Sequence, residues 1–536
     1  MVLLLAALVM FGIYRGTLSL LNRLTQYEQV AYLSPSIPYS VLLLMLFVML
    51  CISNSVTAVG ALFLSQDIEL ILSSPVSRLR FFVTKFVSLL LYTSWMPLTF
   101  LLPFLVAYGV HFQASVDYYL FSFLMLPLFF LIPASLAVSL SIIFTAFIPA
   151  SKTKILLFAI LGVILACVFA LGEVIGLGYQ QQNSFDQVAR ILTIVSLPDK
   201  LWLPTHWVAV TMRDLLENRI SDIGVPLLLL GSLVLGMLFL SYSIFLLLYE
   251  HAYSKSCDRK QVLMTRGKFW WKLFARFAPW LSSEKRAIVL KEYRVFSRDM
   301  PQVIQVLLLA GVYLIYLYNL RVLNLIDSIP GEKRIFWQAF AYIVNVAMGA
   351  FVTTAAATRL VFPSISLEGQ GFWMLQTAPY DMRSFLQVKF WSWFIPLGTI
   401  ATVVFCSGAF AIKTSPEGLA ITFFSAWILS AGIVGMGLGL GAFFANFQWE
   451  HSGQLAASFG SFVFMLSSIA LIAVSMFPIG IAVFMREPGM FGQHLEVHWW
   501  YLFIVASCAF VWAINILARE YALKLGIRSL EKLRDQ

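Results

Sequence analysis

The sequence predicts an all-α polytopic membrane protein with about 12 transmembrane helices in two parallel six-helix repeats. Three observations predict it. Of 536 residues, 60% are hydrophobic and only 12% charged, with a mean hydropathy of +0.86, outside the range of water-soluble domains. Apolar runs of about 20 residues recur along the chain, each long enough to cross a hydrocarbon core of ~30 Å as a helix that satisfies its own backbone. A loop motif of the first half returns in the second half at an offset of 304 residues.

The expected spans lie at 2–21, 38–64, 82–110, 117–148, 154–178, 224–249, 302–323, 336–360, 385–411, 419–445, 454–485 and 498–518. Residues 1–13 carry no basic leader and no small-residue cleavage site, so they read as a retained span and not a signal peptide. Pro97, Pro103, Pro133 and Pro396 fall inside spans and are candidate kinks, because proline removes a backbone donor. These spans divide the chain into a first half (1–250), a linker (251–301), a second half (302–520) and a tail (521–536).

If alternate loops face the cytoplasm from the N-terminus onward, about 25 of the Lys and Arg residues fall inside and about 10 outside. Both termini are then cytoplasmic, in a multi-pass protein of the plasma (inner) membrane. The net charge of +10 resides in short gaps between apolar runs, which points to topology and not to nucleic acid. Cys51, Cys167, Cys406 and Cys508 lie in apolar stretches and Cys257 in a basic loop. None has metal-ligand spacing, so neither disulfide nor metal is expected.

In the repeated motif, Pro75, Phe81, Lys85 and Phe86 recur as Pro379, Phe385, Lys389 and Phe390. The same offset carries the first five spans approximately onto the seventh to eleventh. The first loop places Asp67 and Glu69 before its proline and Arg78, Arg80 and Lys85 after it. The second places Glu368 before, and Asp381, Arg383 and Lys389 after. A short, charged element stiffened by proline suits docking against another protein at the membrane surface; a plain helix–turn–helix is the alternative.

The linker is equally informative. In residues 268–277, Trp270, Phe274 and Phe277 share one helical face while Lys268, Lys272 and Arg276 lie largely elsewhere, the pattern of an interfacial helix. A second amphipathic helix is expected after the caps Ser282 and Ser283, carrying Glu284, Lys285, Arg286, Lys291, Glu292, Arg294, Arg298 and Asp299 up to Pro301. A solvated tether is the alternative. The first half shows no counterpart, so either the halves differ or the chain extends upstream of Met1.

The run Lys291-Glu292-Tyr293-Arg294-Val295-Phe296-Ser297-Arg298-Asp299-Met300-Pro301-Gln302 is similar to an opening found in type-2 ABC exporter permeases. Leu72–Arg78, and Ser366-Leu367-Glu368-Gly369 with Ala378-Pro379, resemble the coupling loops of that family. The resemblance covers nearly the whole chain. It implies a permease subunit of an ATP-driven exporter, with two fused six-span halves and no ATPase activity of its own. A separate cytoplasmic ATPase, in two copies, would hold ATP and Mg and press on the loops around Pro75 and Pro379. The helix at 284–299 would transmit the force. The sequence contains no GxxxxGK[ST] phosphate loop.

Polar residues within spans are candidates for a substrate path, because they are costly unless they face protein or water. Ser53, Asn54 and Ser55 in the second span and Asn345, Thr353 and Thr354 in the eighth occupy corresponding spans of the halves, which in the resembled family would line a cavity. Interhelical hydrogen bonding is the alternative. Glu173 lies near an outer span end. The glycines at 432, 435, 437, 439 and 441 read as a close-packing stripe and not as a phosphate cradle. In the external segment 179–223, Trp202, Trp207 and Leu215 suggest short helices on the outer leaflet, which by family analogy would gate the exit.

Two other classes compete. An ion-coupled secondary transporter would carry buried charges for coupling, and a membrane-embedded enzyme would cluster acids or histidines within spans. The six histidines are scattered and form no HExxH motif. No feature of the sequence names the cargo.

Overall fold

In the computed structural model, the residues described are 2–24, 36–65, 67–147, 203–217, 219, 223–257, 282–298, seven positions between 303 and 317, 332–377, 381–449, 452–485 and 497–534. Their regular elements are helices, with no strand among them. Among the described residues, eight helices are long and apolar enough to cross a membrane, and a bent pair brings the number to nine. The chain is an all-α membrane protein. The expected span at 154–178 and the interfacial helix at 268–277 lie outside the described residues, and 302–323 lies mostly outside them.

The chain forms two compact units. Unit 1 comprises residues 1–156 and 175–262. Its helices are α1 (Val2–Leu24), α2 (Ser36–Val59, closed by a π-turn at Gly60–Leu64), α3 (Ile68–Ser73), α4 (Arg78–His111), α5 (Val116–Phe147), α6 (Pro204–Leu216) and α7 (Gly224–Cys257). Of the expected kinks, Pro97 marks a bend of 51° in α4. Helices α4, α5 and α11 (Met382–Ala411) run on through Pro103, Pro133 and Pro396. One apolar cluster gathers Tyr39, Tyr108, Tyr118 and Phe129, with the Tyr39 and Tyr118 hydroxyls hydrogen-bonded to each other. A second gathers Phe63, Phe81, Phe86, Phe245 and Tyr249.

Helix α6 differs from the expected surface helix. Eight of its 13 residues are buried, and it packs against α2, α5 and α7. Thr205, Ala209 and Thr211 are small enough to admit close approach, and Trp207 also packs against the apolar cluster of unit 1, so the helix binds protein.

Unit 2 comprises residues 157–174 and 263–536. It contains α8 (Ser283–Arg298), α9 (Glu332–Leu360), 3-10 turns at Phe362–Ser364 and Ser366–Gly371, α10 (Phe372–Thr377), α11, α12 (Pro416–Phe443), α13 (Ser452–Ala456), α14 (Phe459–Met485) and α15 (Val497–Arg534). Its core is one continuous apolar cluster. The glycine stripe of α12 is what lets α15 approach. A Cβ at Gly439 would collide with the Ala522 carbonyl, and one at Gly441 with the carbonyl of Phe362. Close helix contact therefore consumes the stripe.

The loop motif folds alike in both units. Helices α3 and α10 begin and end 304 residues apart, and α4 and α11 begin 304 residues apart. Ser77 caps α4 by accepting from the Arg80 amide, and Asp381 caps α11 by accepting from the amides of Arg383 and Ser384. Phe81, Lys85 and Phe86 are buried, as are Phe385, Lys389 and Phe390.

Candidate functional site

Each cap starts a helix whose second turn carries a lysine on its inward face. In unit 1 the Lys85 side chain is 7% exposed and its Nζ lies 2.7 Å from Asp67 Oδ2. Ser65 donates its hydroxyl to Asp67. Burial pushes the Asp67 carboxyl up, but the bonds from Lys85 and Ser65 outweigh it and hold the group below its ordinary value. Glu69 is exposed. Arg78 pairs with Glu250 at 2.6 Å with both side chains mostly in solvent, a contact worth little. Arg80 is exposed, and Pro75 lies in the exposed turn after α3.

Unit 2 builds a fuller site. Lys389 is fully buried and contacts Glu368 at 2.8 Å and Glu292 at 3.0 Å. It also donates to the Ser364 carbonyl at 2.7 Å. Lys291, which is half exposed, closes the cluster by bonding both oxygens of Glu368 and lies 3.5 Å from Glu292. The indole of Trp393 donates to Glu292 at 3.4 Å. Two lysines and two glutamates make the cluster electrically neutral, the condition under which a lysine can be fully buried. Three elements meet there: α8 supplies Lys291 and Glu292, the turn 366–371 supplies Glu368, and α11 supplies Lys389. Tyr293 further ties α8 to α11 through the Ser392 carbonyl at 2.8 Å.

The turn is held in shape from both sides. Gly369 takes φ +56°, which a residue with a Cβ adopts rarely. Trp449 donates its indole N–H to the Ser366 carbonyl at 2.8 Å. Ser282 caps α8 as expected, accepting from the Lys285 amide at 3.4 Å. Glu284 and Arg294 are exposed and Arg286 is half-buried. Arg298 is the last residue of α8, Arg383 is exposed at the start of α11, and Pro379 and Asp299 lie outside the described residues.

Of the polar side chains expected within spans, Asn345 bonds across to another helix, while Thr353 and Ser55 bond within their own. Asn345 donates to the Phe405 carbonyl at 3.1 Å and fits against Gly408. Thr353 bonds the Gly349 carbonyl and Ser55 the Cys51 carbonyl, while the Ser53 carbonyl accepts from Thr57. Asn54 is fully buried with neither amide atom paired among the described residues, and the Thr354 hydroxyl is likewise unpaired. The residues that reasoning from sequence missed are Trp393 and Ser364. The signal available was the lysine four residues after a phenylalanine on a strongly capped helix.

The chain matches, over residues 1–534, the protein family described as "Putative ATP-binding cassette". It belongs to that family. No curated protein and no solved structure matches the chain. Family membership corrects four expectations. The chain is not placed among type-2 exporter permeases. Its function as a permease subunit driven from outside, the absence of ATPase activity, and the confinement of ATP and Mg to a partner fall with that placement, because ATP binding belongs to the family of this chain itself.

The described residues do not fit an ATP–Mg site. The phosphate loop is missing from the sequence. The glycines of α12 are filled by α15 and by the turn after α9. Lys291 and Lys389 are already neutralised by carboxylates. The cavity among Lys291, Glu292, Leu360, Ser364, Glu368 and Trp393 measures about 20 Å³, room for one water molecule. Among the described residues no three acidic, histidine or cysteine side chains gather to hold a metal.

Proposed function

We propose that the chain is a membrane-embedded transport protein of the ATP-binding-cassette family, and that the cluster of Lys389, Glu368, Glu292 and Lys291 is the joint through which motion at the membrane surface reaches the spans. The observation that carries this reading is a fully buried lysine shared by an amphipathic surface helix, a rigid turn and a long span. Two discrete arrangements of such a joint would switch the bundle as a unit, because packed cores are bistable and do not deform continuously.

Within this reading the chain has twelve spans in two parallel repeats divided as 1–250 and 302–520, with the linker at 251–301 and both termini cytoplasmic. The loops around Pro75 and Pro379 receive a cytoplasmic partner. Exposed Leu70, Leu72, Trp373 and Met374 on α3 and α10 support this, since apolar side chains on a short surface helix favour a protein groove. The partner fitting that position is a further ATP-binding-cassette chain. Residues 284–299 transmit the motion, and Ser53, Asn54, Ser55, Asn345, Thr353 and Thr354 stand along the path.

The test is spectroscopic and uses the protein in membranes from its own host. Spin labels at Arg294→Cys on α8 and Arg383→Cys on α11, with the five native cysteines replaced, report the distance across the joint. Adding ATP, Mg and vanadate is expected to shift that distance distribution, and Lys291→Gln is expected to reduce the shift. A distribution unmoved by nucleotide in folded protein would overturn the reading.

A further inference from the structure

Among the described residues, one face of helix α9 is left partly open. At spacings of three and four residues, Val344, Met348, Phe351, Ala355 and Arg359 follow one another along it. Val344 is 36% and Phe351 46% exposed, and Met348, Ala355 and Arg359 are partly exposed. The opposite face, with Asn345, Val346, Ala350, Thr353 and Ala357, is buried. The open face is therefore apolar for most of its length and ends in one guanidinium. No carboxylate and no hydrogen-bond acceptor among the described residues meets Arg359, in contrast to Lys389, which has three partners.

The level of Arg359 in the membrane follows from its neighbours. Leu360 and Ser364 line the small cavity together with Lys291, Glu292 and Trp393, so Arg359 lies beside the level of α8. That helix exposes Glu284, Lys285 and Arg294 and buries Val289 and Leu290, the pattern of a helix in the headgroup boundary. From Val344 to Arg359 the face runs about 22 Å, more than the ~15 Å of one leaflet's hydrocarbon. A lone cation at the boundary, at the foot of an apolar stripe as long as an acyl layer, matches an anionic amphiphile in both parts.

We propose that this face binds an anionic phospholipid of the surrounding membrane, with the guanidinium of Arg359 donating in bidentate fashion to the phosphate and an acyl chain lying along Phe351 and Val344. The site requires only that the chain be embedded in a membrane. It stands or falls apart from the transport reading: a lipid bound and never moved satisfies it.

The experiment uses the full chain in lipid vesicles, with a bimane label on Phe351→Cys in the cysteine-replaced background. Quenching is compared between phosphatidylglycerol and phosphatidylcholine carrying brominated chains. The parent is expected to favour phosphatidylglycerol about fivefold, the size of one basic side chain's attraction to an anionic surface. Arg359→Gln abolishes the preference, Arg359→Lys retains it, and Lys524→Gln, which removes an exposed cation elsewhere, leaves it unchanged. Should Arg359→Gln fail to fold, dodecyl phosphate competes with the brominated lipid in the parent where dodecyl maltoside does not. Equal quenching by both lipids in the parent overturns the proposal, as does a preference that survives Arg359→Gln. Absence of quenching by either lipid, meaning that a protein surface covers the face, overturns it too.

Discussion

Lys389 and Lys85 occupy the same place in the repeated motif but differ in how completely they are neutralised. Lys389 has two carboxylates and a carbonyl at 3.0 Å or less. Removing the charge at Lys389 leaves Glu368 and Glu292 facing one another with only Lys291 between them. Lys389→Met should therefore cost about 3–5 kcal/mol, and adding Glu368→Gln should restore part of it. Thermal unfolding of both variants in detergent checks this, and equal melting of Lys389→Met and wild type would contradict it. In unit 1 the pH dependence has a definite sign. The Asp67 carboxyl is held below its ordinary value, so its stabilising effect is complete above the unfolded value near pH 4 and is lost as the pH falls through the folded one. Melting curves of wild type and Asp67→Asn between pH 6 and 2.5 should therefore converge only in acid. At this scale the sequence was half legible. Lys85, Lys389 and Glu368 stood out by spacing, but which carboxylate meets which lysine depends on chain geometry. Glu69 looked equivalent to Asp67 and yet points to solvent.

Helix contacts in the bundle are set by residues without side chains. Gly439 admits the backbone of α15, and Gly236 in α7 has nothing within 4 Å of its missing Cβ. Gly439→Leu should destabilise by about 1–3 kcal/mol or more through overpacking, whereas Gly236→Leu should stay within about 0.5 kcal/mol. A melting comparison of the two variants in detergent separates them. If both shift alike, the stripe has no packing role. Elements were the most legible layer of this protein, because apolar length and capping chemistry act locally: Ser77, Asp381 and Ser282 each cap the helix they precede. Helix α6 was misjudged for the converse reason. Burial against lipid and burial against protein select the same residue types, and only the tertiary structure distinguishes them.

For the molecule as a whole, the proposed twelve spans would put both termini on one side of the membrane. Epitope tags at residues 1 and 536 should both be inaccessible in intact cells and both become accessible on permeabilisation. One tag exposed and one protected would overturn the twelve-span arrangement. The loop motif was legible as a repeat because Pro, Phe, Lys and Phe recur at fixed spacing, and its helices start 304 residues apart. The placement among exporter permeases was not sustained, since it rested on short motifs while the family match extends over residues 1–534.

Helix α15 runs unbroken for 38 residues, about 57 Å, nearly twice the thickness of the hydrocarbon. Near its far end the Leu533 carbonyl accepts from Gln376 on the helix α10 at 2.9 Å. Such a rod has little compliance along its axis and works as a lever: each degree of tilt imposed at the α10 end displaces the opposite end by about 1 Å. Because Gly439 holds this rod against the bundle with no side chain between, backbone to backbone, it serves as the rod's bearing, and a small angular error there grows with distance toward the other face of the membrane.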